Sequence, residues 1–554
     1  MGSNRPIRAA FVAALAAGSV VLTALPAVAQ EAPAAPSTSD STTAVAPAAP
    51  VEQAAPVEQQ APAAPAADEP DAGTLAIQQK YATFGESGPL SEITTAADGG
   101  KFASFAKWGT TVVITWNSTH GAHWFSGAIA AKWSAAGGAD VYGYAVADQG
   151  QTIGRPGAAA GFDKGFSVYY SDSTGAHTLS GEVRLKYWAL GHTAGSFGFP
   201  QTDNLVLPPS DNNVAGEFAQ FQGQVSIFDP SNGPAVWISG ALRQKFWNAG
   251  SIAGLGYPVS DQAFHFNRQG YTVELPKGRT IYWTGQTGAT LLEDGPVKAK
   301  YLSMGGTESN FGFPETDVLD LPSVSGKFAQ FQGQVSIFWS EPTGAHWISG
   351  ALRQRFWNNG SIGHFGLPTS DQHVTGDIWG NGGLYILFGA DKAILWNAQV
   401  GAFEVAGNFL ARLRADGDVK YYGFPNTERI PLPGRSTFQQ FAHASIFDTA
   451  YGPLTVGWVM REGWWILGGY TGFLGMPKAN EYYPYDNFVV QQFEGGYLYC
   501  DFRSSNPDDN YCDWEYGTAP WSQSAVNSTA AADKKAPAAS VREGHFVIRA
   551  GERG

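Results

Sequence analysis

Gly198-Phe199-Pro200-Gln201-Thr202-Asp203 returns along the chain as Gly256-Tyr257-Pro258-Val259-Ser260-Asp261, Gly312-Phe313-Pro314-Glu315-Thr316-Asp317, Gly366-Leu367-Pro368-Thr369-Ser370-Asp371 and Gly423-Phe424-Pro425-Asn426-Thr427-Glu428. Weaker copies stand at Gly143-Tyr144 with Asp148, at Gly475-Met476-Pro477, and at Gly88-Pro89 with Glu92, with about 52 to 58 residues between neighbours and about eight units in all. Proline fixes its own backbone angle and holds the residue before it extended, while glycine takes a bend that other residues adopt only at a cost. The hydroxyl and acid that close the marker are suited to hydrogen-bond backbone N–H groups where the next strand begins. The marker therefore reads as a structural corner, with a second reading in which its repeated carboxylates line a sugar-binding groove.

Two further patterns keep phase with the corner. Gly240-Ala241-Leu242-Arg243-Gln244-Lys245-Phe246-Trp247 and Gly350-Ala351-Leu352-Arg353-Gln354-Arg355-Phe356-Trp357 place apolar residues four apart, which predicts a short helix with one inward stripe, ended at Gly250 by a left-handed cap. The stretch from Phe218 to Phe228 recurs identically from Phe328 to Phe338, and its alternation about a Gln-Gly pair predicts a β-hairpin. A glycine turn and a short strand follow, as in Gly344-Ala345-His346-Trp347-Ile348-Ser349. Each unit is then one helix with about three antiparallel strands, and residues 181 to 294 match 295 to 406 best two units apart, as expected if a pair was duplicated. The fold expected is mainly β with one short helix per repeat, tandem repeats closing into a β-propeller, with an open β/α solenoid as the alternative.

Around the array the composition changes. Residues 1–29 read as a signal peptide, with Arg5 and Arg8 before an apolar run and Ala27-Val28-Ala29 for cleavage. Residues 30–74, rich in Ala and Pro, read as a disordered tether that reaches on the order of a hundred ångströms if extended at about 3.1 Å per residue. Residues 75–520 hold the repeats, and 521–554 read as a disordered tail without an anchoring motif. No later apolar stretch is long enough to span a bilayer, so no stable membrane insertion is expected. The 34 basic against 48 acidic residues give a net charge of −14, which disfavours nucleic acid as a partner. The two cysteines, Cys500 and Cys512, are close enough in sequence for a local disulfide and too few for a closed zinc site.

Candidate binding residues come from the strand after each hairpin. His123, His177 and His346 sit in Gly-Ala-His elements, and Trp124, Trp237 and Trp347 offer flat faces suited to stacking on sugar rings, although a repeat array also needs large aromatics in its core. The histidines do not recur in every unit, so no metal site is expected from them. Asp508, Asp509 and Asp513 miss the spacing of a calcium loop and read as solvated surface. No nucleophile elbow, metalloprotease helix, phosphate loop or dinucleotide fingerprint occurs, so neither catalysis nor a cofactor is expected.

The corner, the Phe-x-x-Phe-x-Gly hairpin and the Gly-Ala-His strand together resemble the LGFP repeats of corynebacteria, rhodococci and their relatives, over about 75 to 520 and most closely from Gly181 to about Pro425. In that family the repeats accompany mycolyltransferases and wall amidases and are thought to attach them to the arabinogalactan–peptidoglycan wall. The resemblance implies a secreted, wall-associated protein whose partner is cell-wall glycan. It implies no activity, because this chain shows no enzyme portion. Departures at Ala145, at Lys478 to Asn480 and around Gly88 take the outer repeats out of the family's pattern, so the resemblance does not carry binding over to them. A scaffold for envelope proteins is the competing reading, and a glycoside hydrolase, which needs two suitably separated carboxylates in one pocket, ranks third.

Overall fold

The computed structural model describes residues 70–207, 209, 213–504, 511–521 and 547–548. The signal peptide and nearly all of the tether and tail read from the sequence lie outside the described residues. Helix α1 (Ala72–Ala82) already opens within the last residues of the stretch read as tether, where Asp71 accepts hydrogen bonds from the N–H groups of Gly73 and Thr74.

Eight antiparallel meanders then alternate with short helices. Sheet I comprises strands Thr94–Thr95, Lys101–Lys107, Thr110–Asn117 and Gly121–Ser126. Sheets II to VIII occupy 150–179, 205–239, 263–292, 319–349, 373–406, 430–457 and 482–516, the last with an added short parallel strand, Val547–Ile548. The helices between them are α2 (Gly127–Ala135), α3 (Ala139–Tyr142), α4 (Gly181–Ala189), α5 (Gly240–Asn248), α6 (Ser251–Leu255), α7 (Pro296–Ser303), α8 (Gly350–Asn358), α9 (Ser361–Phe365), α10 (Asn408–Ala415), α11 (Val419–Tyr422) and α12 (Trp458–Ile466). After sheets I, III and V the second turn is α-helical, and after II and IV it is 3-10. Through sheet V that alternation has period two, as growth by duplicated pairs would give, and it breaks after sheet VI, where α11 is again α-helical.

Each unit has four strands, one more than the hairpin-plus-strand pattern predicts. The added strand is the first and outermost, only two to four residues long, and its residues carry no shared pattern: Leu205-Val206-Leu207 in one unit, Leu319-Asp320 in another. The helices follow the expectation closely. In α5 the buried residues are Leu242 and Phe246, and Gly250 stands at φ 112° one residue beyond the cap.

Burial explains the rest. The core is divided into clusters, each built around one helix held between consecutive sheets: Leu242 and Phe246 of α5 pack against Phe228 and Ile238 of sheet III and Val273 and Ile281 of sheet IV. Tyr187 of α4 and Tyr301 of α7 do the same between sheets II and III and between IV and V. Interior sheets are thus covered on both faces, and central strands such as Val225–Pro230 are buried almost throughout. The end faces are covered by other means. Ile77 of α1 closes sheet I, and Trp521 with Ala519 lies on the outward Phe488, Val490 and Tyr497 of sheet VIII.

Candidate functional site

The corner is built by its own glycine and by the hairpin that follows. Gly198, Gly256, Gly312, Gly366 and Gly423 all stand at φ between 67° and 79°, the left-handed region. Pro200 and Pro314 bridge to Phe221 and Phe331, and the Gln201 and Glu315 N–H groups each donate to a hairpin carbonyl at 2.7 Å, those of Gln220 and Gln330. The hydroxyl caps the new strand as the sequence suggests: the Gln220 N–H donates to Thr202 Oγ1 at 3.0 Å, and the Gln330 N–H to Thr316 Oγ1 at 3.1 Å.

The acid acts differently from the expectation. It turns back to the fourth strand of the preceding sheet, where Asp203, Asp261, Asp317 and Asp371 accept the N–H groups of Thr178, Trp237, Leu291 and Trp347 at 2.8 to 3.2 Å. The carboxylate also pairs with a cation from the helix one unit further back, a lysine ammonium in five places and the Arg355 guanidinium in the sixth. The pairs are Lys80–Asp148, Lys132–Asp203, Lys186–Asp261, Lys245–Asp317, Lys300–Asp371 and Arg355–Glu428, all at 2.5 to 2.7 Å. Asp148, Asp203, Asp261, Asp317 and Asp371 therefore each tie their own corner to the sheet before it and to the helix ahead of that sheet. Burial alone would raise the Asp203 carboxyl, yet hydrogen bonds from His177, Lys132 and the Thr178 N–H hold it well below the usual carboxylate range. In the seventh such place Asn480 accepts the Thr455 N–H at 2.9 Å, and Arg412 pairs instead with Asp416, which caps the end of its own helix.

The three histidines do not converge. Each lies in the fourth strand of its own unit and reaches the turn before it: His123, His177 and His346 place Nε2 2.8 to 2.9 Å from the carbonyls of His120, Thr174 and Thr343, and Nδ1 3.0 to 3.5 Å from Asp148, Asp203 and Asp371. Among the described residues no group of three or more potential metal ligands comes together. Asp508 and Asp509 lie outside the described residues.

Trp124, Trp237 and Trp347 are half-buried, and each leans on a phenylalanine from the segment preceding the corner: Phe84, Phe197 and Phe311, with ring centres 5.2 to 5.5 Å apart. In the first unit a third ring, Trp108, joins the pair at 5.7 Å from Phe84 and 5.8 Å from Trp124 and stays 62% exposed. Sequence reading passed over Trp108. The signal was there, a Trp-Gly at a hairpin tip where the units at 222 and 332 carry Gln-Gly. In sheet VIII the disulfide Cys500–Cys512 joins directly opposed residues of neighbouring strands.

Four segments of the chain, 89–140, 143–195, 255–309 and 311–361, match the LGFP repeat. Each spans a corner, a four-stranded sheet and the helix after it, and the unmatched units carry the same element order. No curated protein matches the chain. Among solved structures, the TCP10 domain of Danio rerio CPAP in complex with a peptide of Danio rerio STIL is 9% identical, with 54% of this chain and 93% of that one covered and a TM-score of 0.16. BBS1N in complex with ARL6DN is 6% identical, with 57% and 77% covered and a TM-score of 0.10.

Proposed function

The chain is an LGFP-repeat protein, and from that premise we propose that it is an exported, non-catalytic wall-binding module, holding cell-wall polysaccharide of the arabinogalactan–peptidoglycan type through many weak contacts. The observation that carries this reading is the recurrence of one rigid unit, locked to its neighbours by the same acid–cation clamp. Such an array offers equivalent surfaces at regular intervals, which suits a polymer that repeats as well. Binding by several units then gains from high effective concentration, so each contact can be weak. The test is sedimentation of the purified full chain with isolated mycolyl-arabinogalactan-peptidoglycan. Most of the protein is expected in the pellet, and equal recovery in the supernatant with and without wall overturns the reading.

The arrangement belongs to the same proposal. Of the two architectures expected, the open β/α array is better supported than the closed propeller, because α1 and Trp521 cover the end faces that a ring would pack against one another. Capping by atypical end pieces is how open arrays remain soluble.

One observation favours the scaffold reading for envelope proteins. The outermost strands leave Val206 and Val374 76% and 85% exposed, on edges to which an extended partner segment can add. Crosslinking in intact cells separates the two readings: discrete protein adducts favour the scaffold, and release by arabinan-degrading enzymes favours glycan.

A further inference from the structure

We infer that the cleft beside Trp108 is a subsite for a neutral sugar ring; the inference rests on the glycan-binding reading and locates it. Sheet I departs from its sister units at this point. Its central hairpin continues two residue pairs past Phe105↔Val112, to Lys107↔Thr110, whereas the hairpins of sheets III and V end at Phe221↔Val225 and Phe331↔Val335. The extension is closed by Trp108 and Gly109, at φ 56° and 73°. A two-residue turn with both angles positive prefers Asn-Gly or Asp-Gly, and a bulky aromatic in the left-handed region is strained. Packing does not repay that strain, since most of the indole faces solvent. An unfavourable backbone state that presents an exposed ring is the kind of local cost that accompanies binding sites.

The surroundings indicate what the ring meets. The Phe84–Trp124 pair is the counterpart of Phe197–Trp237 and Phe311–Trp347, and of these three it alone is extended outward by a third, exposed ring; in sheet VIII the exposed Tyr516 stands in a like way beside Phe473 and Trp514. An open cleft of about 510 Å³ adjoins it, lined by Glu86, Ser87, Lys107 and Trp108. The Lys107 ammonium donates to the Glu86 carbonyl, which holds one wall of the cleft against the other. One carboxylate and one ammonium give the rim no net charge, while a carboxylate, a hydroxyl and an ammonium supply both acceptors and donors. A flat apolar face bordered by such groups fits a sugar ring, whose C–H face stacks and whose hydroxyl edge hydrogen-bonds.

Calorimetric titration of the full chain with soluble arabinogalactan and with triacetylchitotriose tests this, beside the Trp108→Ala and Trp108→Gly variants. At least one saccharide is expected to bind the native chain, and both variants are expected to lose tenfold or more in affinity. Trp108→Gly is also expected to melt at or above the native temperature, because glycine is at ease at this φ. Binding of neither saccharide, native affinity in the variants, or a clear fall in melting temperature for Trp108→Gly overturns the subsite. A native chain that pellets with wall while failing these titrations sinks the subsite alone. One that binds saccharide but does not pellet sinks the wall reading alone.

Discussion

At the hairpin tips Gln222-Gly223-Gln224 and Gln332-Gly333-Gln334 the residue in the left-handed region is glutamine, with Gln224 at φ 56° and Gln334 at φ 55°. The glycine is there for room. A Cβ on Gly223 would lie 2.4 Å from the Ser196 carbonyl oxygen, and one on Gly333 1.9 Å from that of Asn310. Gly333→Ala is therefore expected to cost about 2 to 3 kcal/mol, because backbone must move. Gln334→Gly should change stability by less than about 1 kcal/mol, as relief of the strained angle offsets added chain entropy. Urea unfolding of the two variants measures both, and similar losses would refute the assignment. A hairpin was legible in the Gln-Gly pair. Which residue bends was not, because the steric demand comes from a loop more than twenty residues earlier in the chain.

At the scale of single elements, the clamp of helix, fourth strand and corner is what ties one unit to the next. The Asp203 carboxyl titrates lower in the folded chain than in the unfolded one, so its contribution is complete above about pH 4 and is lost as the pH falls further. Asp203→Asn is expected to cost about 1 kcal/mol at pH 7, allowing for solvent screening of this partly exposed pair, and its deficit should shrink as the pH is lowered from 5 towards 3. A deficit constant over that range would show that the charge is idle. Replacing both Cys500 and Cys512 by serine should remove about 3 kcal/mol from sheet VIII on the chain-entropy estimate, seen as faster amide exchange there before elsewhere. The helix, the hairpin and the corner could all be read from periodic apolar residues and from glycine–proline pairs. The outermost strand could not, since an edge only two to four residues long with exposed side chains leaves no period to detect. The acid's true partners were hidden too, because they lie in two earlier units.

For the molecule as a whole, the interior is a row of separate cores, each closed by the elements on either side. Residues 70–521, were they packed into one globule, would have a radius of gyration of about 22 Å. X-ray scattering from that fragment is expected to give a clearly larger value if the array is open, and a value near that of the globule would restore the ring. Tandem organisation and unit length were plain in the sequence. The closing of the ends was not, because Trp521 belongs to no repeat and acquires meaning only from the face it covers, and α1, a unit helix that pairs Lys80 with Asp148 as its counterparts do, is marked as an end only by the lack, among the described residues, of a sheet before it.

The clamps carry a consequence for how such a chain changes length. All six join a basic helix residue to an acidic corner at the same places in the unit, so within this run a helix can serve any acidic corner two units downstream, whereas the corner at Asn480 has no such clamp. A gene that gains or drops a whole interior unit re-forms matched seams at once, with no new complementarity to evolve. An insertion of any other size leaves mismatched charges on both sides of the scar.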